Sequence, residues 1–437
     1  MRAFADSRRQ ATAQHRENAK MQRRKLLTTA LGVGAVAALA TIAGLSPAQA
    51  QDKTVTIGIE LPLTGADADS ATRIRNGALM AIDDVNAAGG AGGYKLQSSV
   101  LDSGTSTAGQ YDPAQAATNA KKFVSDPSVV ALVGPEMSGE GKAMTPILSA
   151  ANVATITPSS TNPDITDPKF APQYKPNGKA IYFRTVTTDA YQGPNMANYM
   201  RDTLHVKSVY ILDDSGAYGV GMSNLFEAQA KKIGMNVMGH DQLDPKEADY
   251  TTVLTKIKGL NPDAVYYGGV SQAGVKVAKQ LYDIAPNIVK CGGDGMVDGG
   301  ILSGVGFPAI EGWYVTQATP HVTDDATMSD WVGRYTKAYN MTPSDYAVTG
   351  YDAVLVIADA IKRVAASGQP VNHDTVRDAI QTTSLNGLQG PISFDENGDI
   401  VNKVISVFQI HHDPASAEDD VQHQYKYIGV APEAPAS

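Results

Sequence analysis

Val55-Thr56-Ile57-Gly58-Ile59-Glu60 is a β-branched run that stops at Leu61-Pro62-Leu63-Thr64-Gly65. Beyond it, apolar side chains return at Ile74, Ala78, Ala81, Ile82 and Val85. The run reads as a strand, and the later spacing predicts a helix over 71–88 that stops at Gly89-Gly90. The same alternation continues outward. Strand-like Leu96–Leu101 precedes a helix over 113–125. Buried strand Val129–Val133 precedes a helix over 139–151, and Val153–Thr157 reads as a further strand. After an irregular, proline-rich stretch at 162–180 the pattern restarts with a helix over 192–204. Ser208–Leu212, Asn236–His240, Ala264–Tyr267, Ile288–Cys291 and Gly312–Thr316 read as strands, with helices over 218–233, 249–259 and 272–285 between them. Alternating strands and helices give parallel sheets covered on both faces. Two such runs predict an α/β protein of two doubly wound lobes.

After Thr316 three helices follow, over 326–340, 346–366 and 373–383. Strand-like Pro391–Phe394, an Asn397-Gly398 turn, Val404–Ile410 and Tyr425–Val430 complete the chain. Asn-Gly is a strong hairpin signal. A tail that supplies elements after both runs are complete implies that the chain crosses back between lobes. The divisions are 51–187 with 319–403 for lobe one, 188–318 with 404–430 for lobe two, and a frayed tail at 431–437.

The 437 residues are 43% hydrophobic and 19% charged, with net charge −9, a globular composition. Eight of the 36 basic and two of the 45 acidic residues lie in the first fifty, so the remainder carries −15. A body that acidic is a poor nucleic-acid binder. A single cysteine, Cys291, excludes an internal disulfide and any multi-cysteine metal site.

Arg23-Arg24-Lys25 precedes an uncharged stretch from Leu26 to Ala50 that closes with Ala48-Gln49-Ala50. A basic start, an apolar middle and a small-x-small ending predict an export signal cleaved after Ala50. A membrane anchor is the competing reading. Met21 is a plausible true start. Arg23-Arg24 before Leu26-Leu27 also resembles a twin-arginine signal. No cysteine near the cleavage site offers a lipid attachment point, so the expected location is the periplasm.

Candidate catalytic and metal constellations are weak. Gly269-Val270-Ser271-Gln272-Ala273 has the context of a nucleophile elbow but lacks its final glycine, and reads as a β–α turn capped by serine. His411-His412 at a strand end points one ring to each face. Asp395, Asn397 and Asp399 resemble part of a calcium loop without its later glutamate, and read as a polar turn. No phosphate-binding loop is present, and an enzyme is not expected. What remains is a set of polar loops where strands end, the place where open α/β sheets bind ligands. They are Val133–Gly139, Thr157–Pro163, Asp213–Gly219 and Cys291–Gly295. Hydroxyls and N–H groups at helix starts bind a carboxylate without a cation, and an aspartate in the facing lobe binds an ammonium. Helix caps and tight turns are the other reading of the same loops.

From Lys53 to Val430 these residues resemble the branched-chain amino acid-binding proteins, periplasmic receptors of the leucine/isoleucine/valine-binding type. The marks are Thr56-Ile57-Gly58-Ile59 with Pro62-Leu63-Thr64-Gly65, Asn76-Gly77-Ala78, Asp83–Gly90, Ile156-Thr157-Pro158, Phe183-Arg184-Thr185, Tyr218-Gly219, Tyr266–Gly269, Gly293-Asp294-Gly295 and Gly350-Tyr351-Asp352-Ala353. The resemblance implies the type 1 periplasmic binding fold, two lobes joined by three crossovers and closing like a hinge. It implies a monomer without a cofactor that delivers its ligand to an ABC permease and ATPase. Carried over by motif, Ser138, Ser159 and Thr161 would take the ligand carboxylate and Asp294 its ammonium. Tyr218 would lie over the ligand backbone, and Tyr346 would wall the side-chain pocket.

The sequence also departs from the family pattern. Val270 stands where a tyrosine is usual, Ser70 near a usual aromatic, and Glu136 at a usually apolar place. Tyr111 and Met137 stand where the family carries a disulfide. Glu136 would face a polar or cationic ligand group, or solvent. The expected ligand is an amino acid or related zwitterion. An amide, urea or aromatic acid in the same fold, or a sensor that signals to a membrane partner, are the alternatives.

Overall fold

The computed structural model describes residues 53–433, so the expected export signal and the last four residues lie outside the described residues. One sheet has the order Tyr94–Asp102, Lys53–Leu61, Val129–Val133, Thr155–Thr157, Tyr182–Arg184, all parallel. Its central strand Val129–Val133 is buried throughout, as a parallel strand covered on both faces must be. Helices Ala68–Ala87 and Asp345–Ala366 pack together on one face. Pro113–Ser125 and Ser138–Ala150 pack together around Phe123, Leu132 and Leu148 on the other. The close approach of the first pair needs Gly77, where any side chain would strike the carbonyl of Ala347.

The second sheet has the order Tyr425–Val430, Ser406–Ile410, Tyr314–Gln317, Val289–Gly292, Ala264–Gly268, Ser208–Asp213, Asn236–Gln242. Its first-run strands are parallel. The two strands added by the returning tail pair antiparallel. Tyr210, Leu212, Val265, Tyr267, Ile301 and Trp313 fill one of its faces. Phe226 and Tyr266 stack at 3.8 Å on the other.

The chain passes between the sheets three times, between Arg184 and Asp189, after Gln317, and before Ser406. The passages are stitched to one another. Thr187 N–H donates to Ala318 O at 2.8 Å, Val404 N–H to the Thr187 hydroxyl at 3.2 Å, and the Ser406 hydroxyl to Thr319 O at 2.8 Å.

Three expectations change. The Asn397-Gly398 turn does not join strands 391–394 and 404–410. It closes a single bridge between Phe394 and Ile400, while Gly390–Ser393 pairs backward with Ser384–Gly387. The turn is held because Asp395 Oδ1 accepts the N–H groups of Asn397 and Asp399. Asp399, in the stretch read as a polar turn, pairs with Arg184 at 2.7 Å. The proline-rich stretch is also more regular than expected. Pro163–Ile165 and Pro168–Phe170 are single 3₁₀ turns capped by Asn162 and Asp167, with proline in the first position, where no N–H is needed. In the tail expected to fray, Ala431 is buried and donates its N–H to Ile405 O at 2.8 Å.

Candidate functional site

The parallel strands of both sheets end toward one cleft, and the loops leaving them line it. Its free space, including the part open to solvent, is about 430 Å³. From the first sheet come Ser70, Glu136, Met137, Ser138, Ser159 and Thr161. From the second come Tyr218, Val270 and Asp294, and Tyr346 enters at the start of helix Asp345–Ala366. Every site residue expected from the sequence thus meets at one place.

Asp294 opens a single 3₁₀ turn after strand Val289–Gly292. Its flanks are glycine because of crowding: a methyl group on Gly293 would collide with the Tyr218 hydroxyl, and one on Gly295 with the carbonyl of Gly269. The carboxylate accepts from Tyr218 Oη at 2.5 Å, from Gln192 Nε2 at 2.9 Å, and from Tyr346 Oη. Burial raises its pKa despite these three donors. Asp189 lies behind it, and burial, then the charge of Asp294, push Asp189 up to about 8. Neither aspartate has a lysine or arginine partner in hydrogen-bond contact among the described residues.

The facing loops present hydroxyls. Ser138 Oγ accepts from Asn162 N at 3.2 Å and bonds Ser160 Oγ at 3.3 Å, and the Ser159 hydroxyl donates to Glu136 O at 3.2 Å. Thr161 Oγ1, on a residue 1% exposed, lies beside the Asp189 carboxyl and favours its ionised form. Helices Ser138–Ala150 and Ser271–Ile284 both begin at the cleft, and their N-cap residues, Met137 and Val270, give no side-chain bond to the first turn. The cap expected from Ser271 is therefore absent. Ser271 is the first helical residue and lines the cavity.

Arg184, fully buried, carries these loops from behind. Beyond Asp399, its guanidinium donates to Ser160 O at 2.5 Å and Asn162 O at 2.7 Å.

Glu136 does not face solvent. It is 5% exposed and lines the cavity beside the Ser70 hydroxyl. Burial drives its carboxyl well above the usual range. Two acids missed in the sequence stand with it. Asp67 and Asp298 also line the cavity, and burial pushes each up to about 7. Asp67 lies in the loop after the first strand, so the strand-end rule that found the other loops reaches it as well. Asp298 lies four residues beyond Asp294 and caps the short helix Gly299–Val305 through Ile301 N. At the positions of the family's disulfide, Met137 lines the cleft, and the Tyr111 ring packs on Gly139 while its N–H donates to Asp67 Oδ2 at 3.1 Å.

Residues 54–415 match the family described as "Periplasmic binding protein". The chain is 29% identical over 375 residues to the Leu/Ile/Val-binding protein BraC3 of Rhizobium johnstonii, covering 84% of this chain and 95% of that one. Among solved structures it resembles the leucine-binding protein LivK of Thermotoga maritima, with a TM-score of 0.73, 25% identity, and 86% and 98% of the two chains covered. It also resembles an R. palustris ABC-transporter solute-binding protein in complex with benzoate, with a TM-score of 0.71, 22% identity, and 88% and 98% covered.

Proposed function

Because the chain belongs to the periplasmic binding protein family, we propose that it is the receptor of an ABC importer and that it binds an amino acid or a related small zwitterion between its lobes. The observation that carries this reading is Asp294, a buried carboxylate with three hydrogen-bond donors and no cation in contact with it. A ligand ammonium supplies the missing charge. The Ser138, Ser159 and Thr161 hydroxyls and the first-turn N–H groups of helix Ser138–Ala150 receive the ligand carboxylate, since such N–H groups have no backbone partner within the helix; only the N-cap N–H of Met137 is taken, by Glu140 Oε2 at 3.0 Å. Tyr218 and Tyr346 bind the ligand backbone indirectly, by fixing Asp294. No bond is made or broken; the ligand shifts the protein to its closed form. The loaded form is presented to a membrane permease driven by an ATPase. Export with cleavage after Ala50 places the mature chain in the periplasm.

A thermal-shift screen of amino acids, amides, urea and aromatic acids tests the reading. A ligand at a hundred times its Kd adds about 2.7 kcal/mol to stability. Stabilisation by amino acids is expected. A response confined to benzoates or amides would overturn the zwitterion assignment, because such ligands bring no ammonium to Asp294.

A further inference from the structure

We propose that the ligand carries a second cationic group, on its side chain, which binds between Glu136, Asp67 and Asp298. This rests on the amino-acid reading and names the class: an α-amino acid with a basic side chain.

The three acids lie in the same cavity as Asp294 but belong to different loops. Glu136 follows strand Val129–Val133, Asp67 follows strand Lys53–Leu61, and Asp298 follows the 3₁₀ turn of Asp294. Asp67 Oδ1, on a residue 1% exposed, has no hydrogen-bond partner, and Glu136, 5% exposed, has the Ser70 hydroxyl beside it but no cation. An unpaired carboxylate oxygen in a closed cavity is costly unless a ligand donates to it.

Arg73 is the nearby cation, and its donors are taken. Its guanidinium donates to Asp69 at 2.8 and 3.2 Å, to Asp419 O at 3.1 Å, and to the carbonyl and hydroxyl of Thr342. An apolar ligand side chain would leave the three acids without a counter-charge. No group of His, Cys, Asp and Glu suited to holding a metal ion occurs among the described residues. An organic cation that donates several hydrogen bonds, an ammonium or a guanidinium, fits both the charge and the unpaired acceptor.

Calorimetry on the mature protein with L-lysine against L-norleucine, and L-arginine against L-citrulline, tests this. Arginine and citrulline match in length and differ in charge; norleucine lacks the terminal nitrogen of lysine and is shorter by that atom. The basic member should bind about tenfold more tightly or better. Glu136→Gln, checked for an unchanged circular dichroism spectrum, should reduce that ratio to within about threefold. Equal or tighter binding of the neutral members would overturn the cationic subsite while leaving the amino-acid reading intact. A preference that survives Glu136→Gln, Asp67→Asn and Asp298→Asn together would overturn its location. Binding of agmatine or putrescine but of no amino acid would support the subsite and remove the amino-acid reading. Binding of none of these compounds would overturn both.

Discussion

The backbone N–H of Ser70 donates to Asp298 Oδ2 across the cleft, at 3.2 Å, and ties the first helix of one lobe to the short helix of the other. Beside it Gly299 N–H donates to Asp69 Oδ2 at 3.1 Å. At the other side of the cleft Asn162 Nδ2 donates to Ala217 O at 2.8 Å. These bonds exist only while the lobes are together, so they belong to the closed form.

Asp298→Ala removes the Ser70 latch and the cap on Ile301. The lost cap should lower the stability of the empty protein by about 1 kcal/mol. The lost latch should add a faster ligand release, read by stopped-flow fluorescence. An unchanged release rate would show that the latch does not hold the closed form.

Asp294→Asn should nearly abolish amino acid binding. Breaking a desolvated ion pair from one side costs about 3–5 kcal/mol, or roughly 10² to 4 × 10³ in affinity. Thr161→Val, which removes one of several carboxylate donors, should lose less. Calorimetry that finds Asp294→Asn within about threefold of wild type would remove the ammonium assignment.

Arg184→Met should destabilise the protein by about 3–5 kcal/mol, because it strands Asp399 and the carbonyls of Ser160 and Asn162. Urea unfolding measures it. A loss below about 1 kcal/mol would mean that the loops hold their shape without the guanidinium.

Closure of the empty protein should depend on pH. Burial in the closed cleft pushes Asp67 and Asp298 to about 7 from the ordinary 3.8, and it raises Glu136 as well. Opening returns them to water. The facing charges are Asp69 and Asp214, which oppose ionisation, and Arg73, whose pKa the Asp298 charge helps to raise. A carboxyl with a raised pKa favours the closed form fully below about 4, and that contribution is lost as pH rises to about 7. Small-angle scattering of ligand-free protein should give a smaller radius of gyration at pH 5 than at pH 8. Asp67→Asn with Asp298→Asn should flatten the difference. Saturating ligand should shrink the radius at either pH, and a radius indifferent to ligand would argue for a rigid body.

The exported protein should begin at Gln51 and be released by osmotic shock. N-terminal sequencing decides. Recovery only from membranes, with residues 26–45 intact, would favour an anchor.

The strands and helices were legible because each carries its own period: the run from Val55 and the return of Ile74, Ala78 and Ile82 need no knowledge of the rest of the chain. The pairing of Gly390–Ser393 was not, because Asn397-Gly398 announces a reversal without naming the strands that pair. That Ser138, Ser159, Thr161 and Asp294 line one cleft was legible from strand ends and family motif together. The strand-end rule reaches Asp67 but does not single it out, and Asp298 lies beyond it. Their significance comes from burial in a cavity shared by distant loops, and a short acidic side chain in a loop usually means an exposed turn. The environment of Glu136 was open in the sequence for the same reason, since burial beside Pro135 depends on the opposing lobe.

The three passages between the lobes are stitched at Thr187, Ala318, Thr319, Val404 and Ser406. Three parallel cords bound side by side fold readily about the line that crosses them, but they resist twisting and sliding, which would shear the stitches. In the hinge motion proposed for the lobes, that leaves essentially one degree of freedom. A membrane partner that senses only the separation of the two lobe tips would learn from that one distance whether the cleft is full.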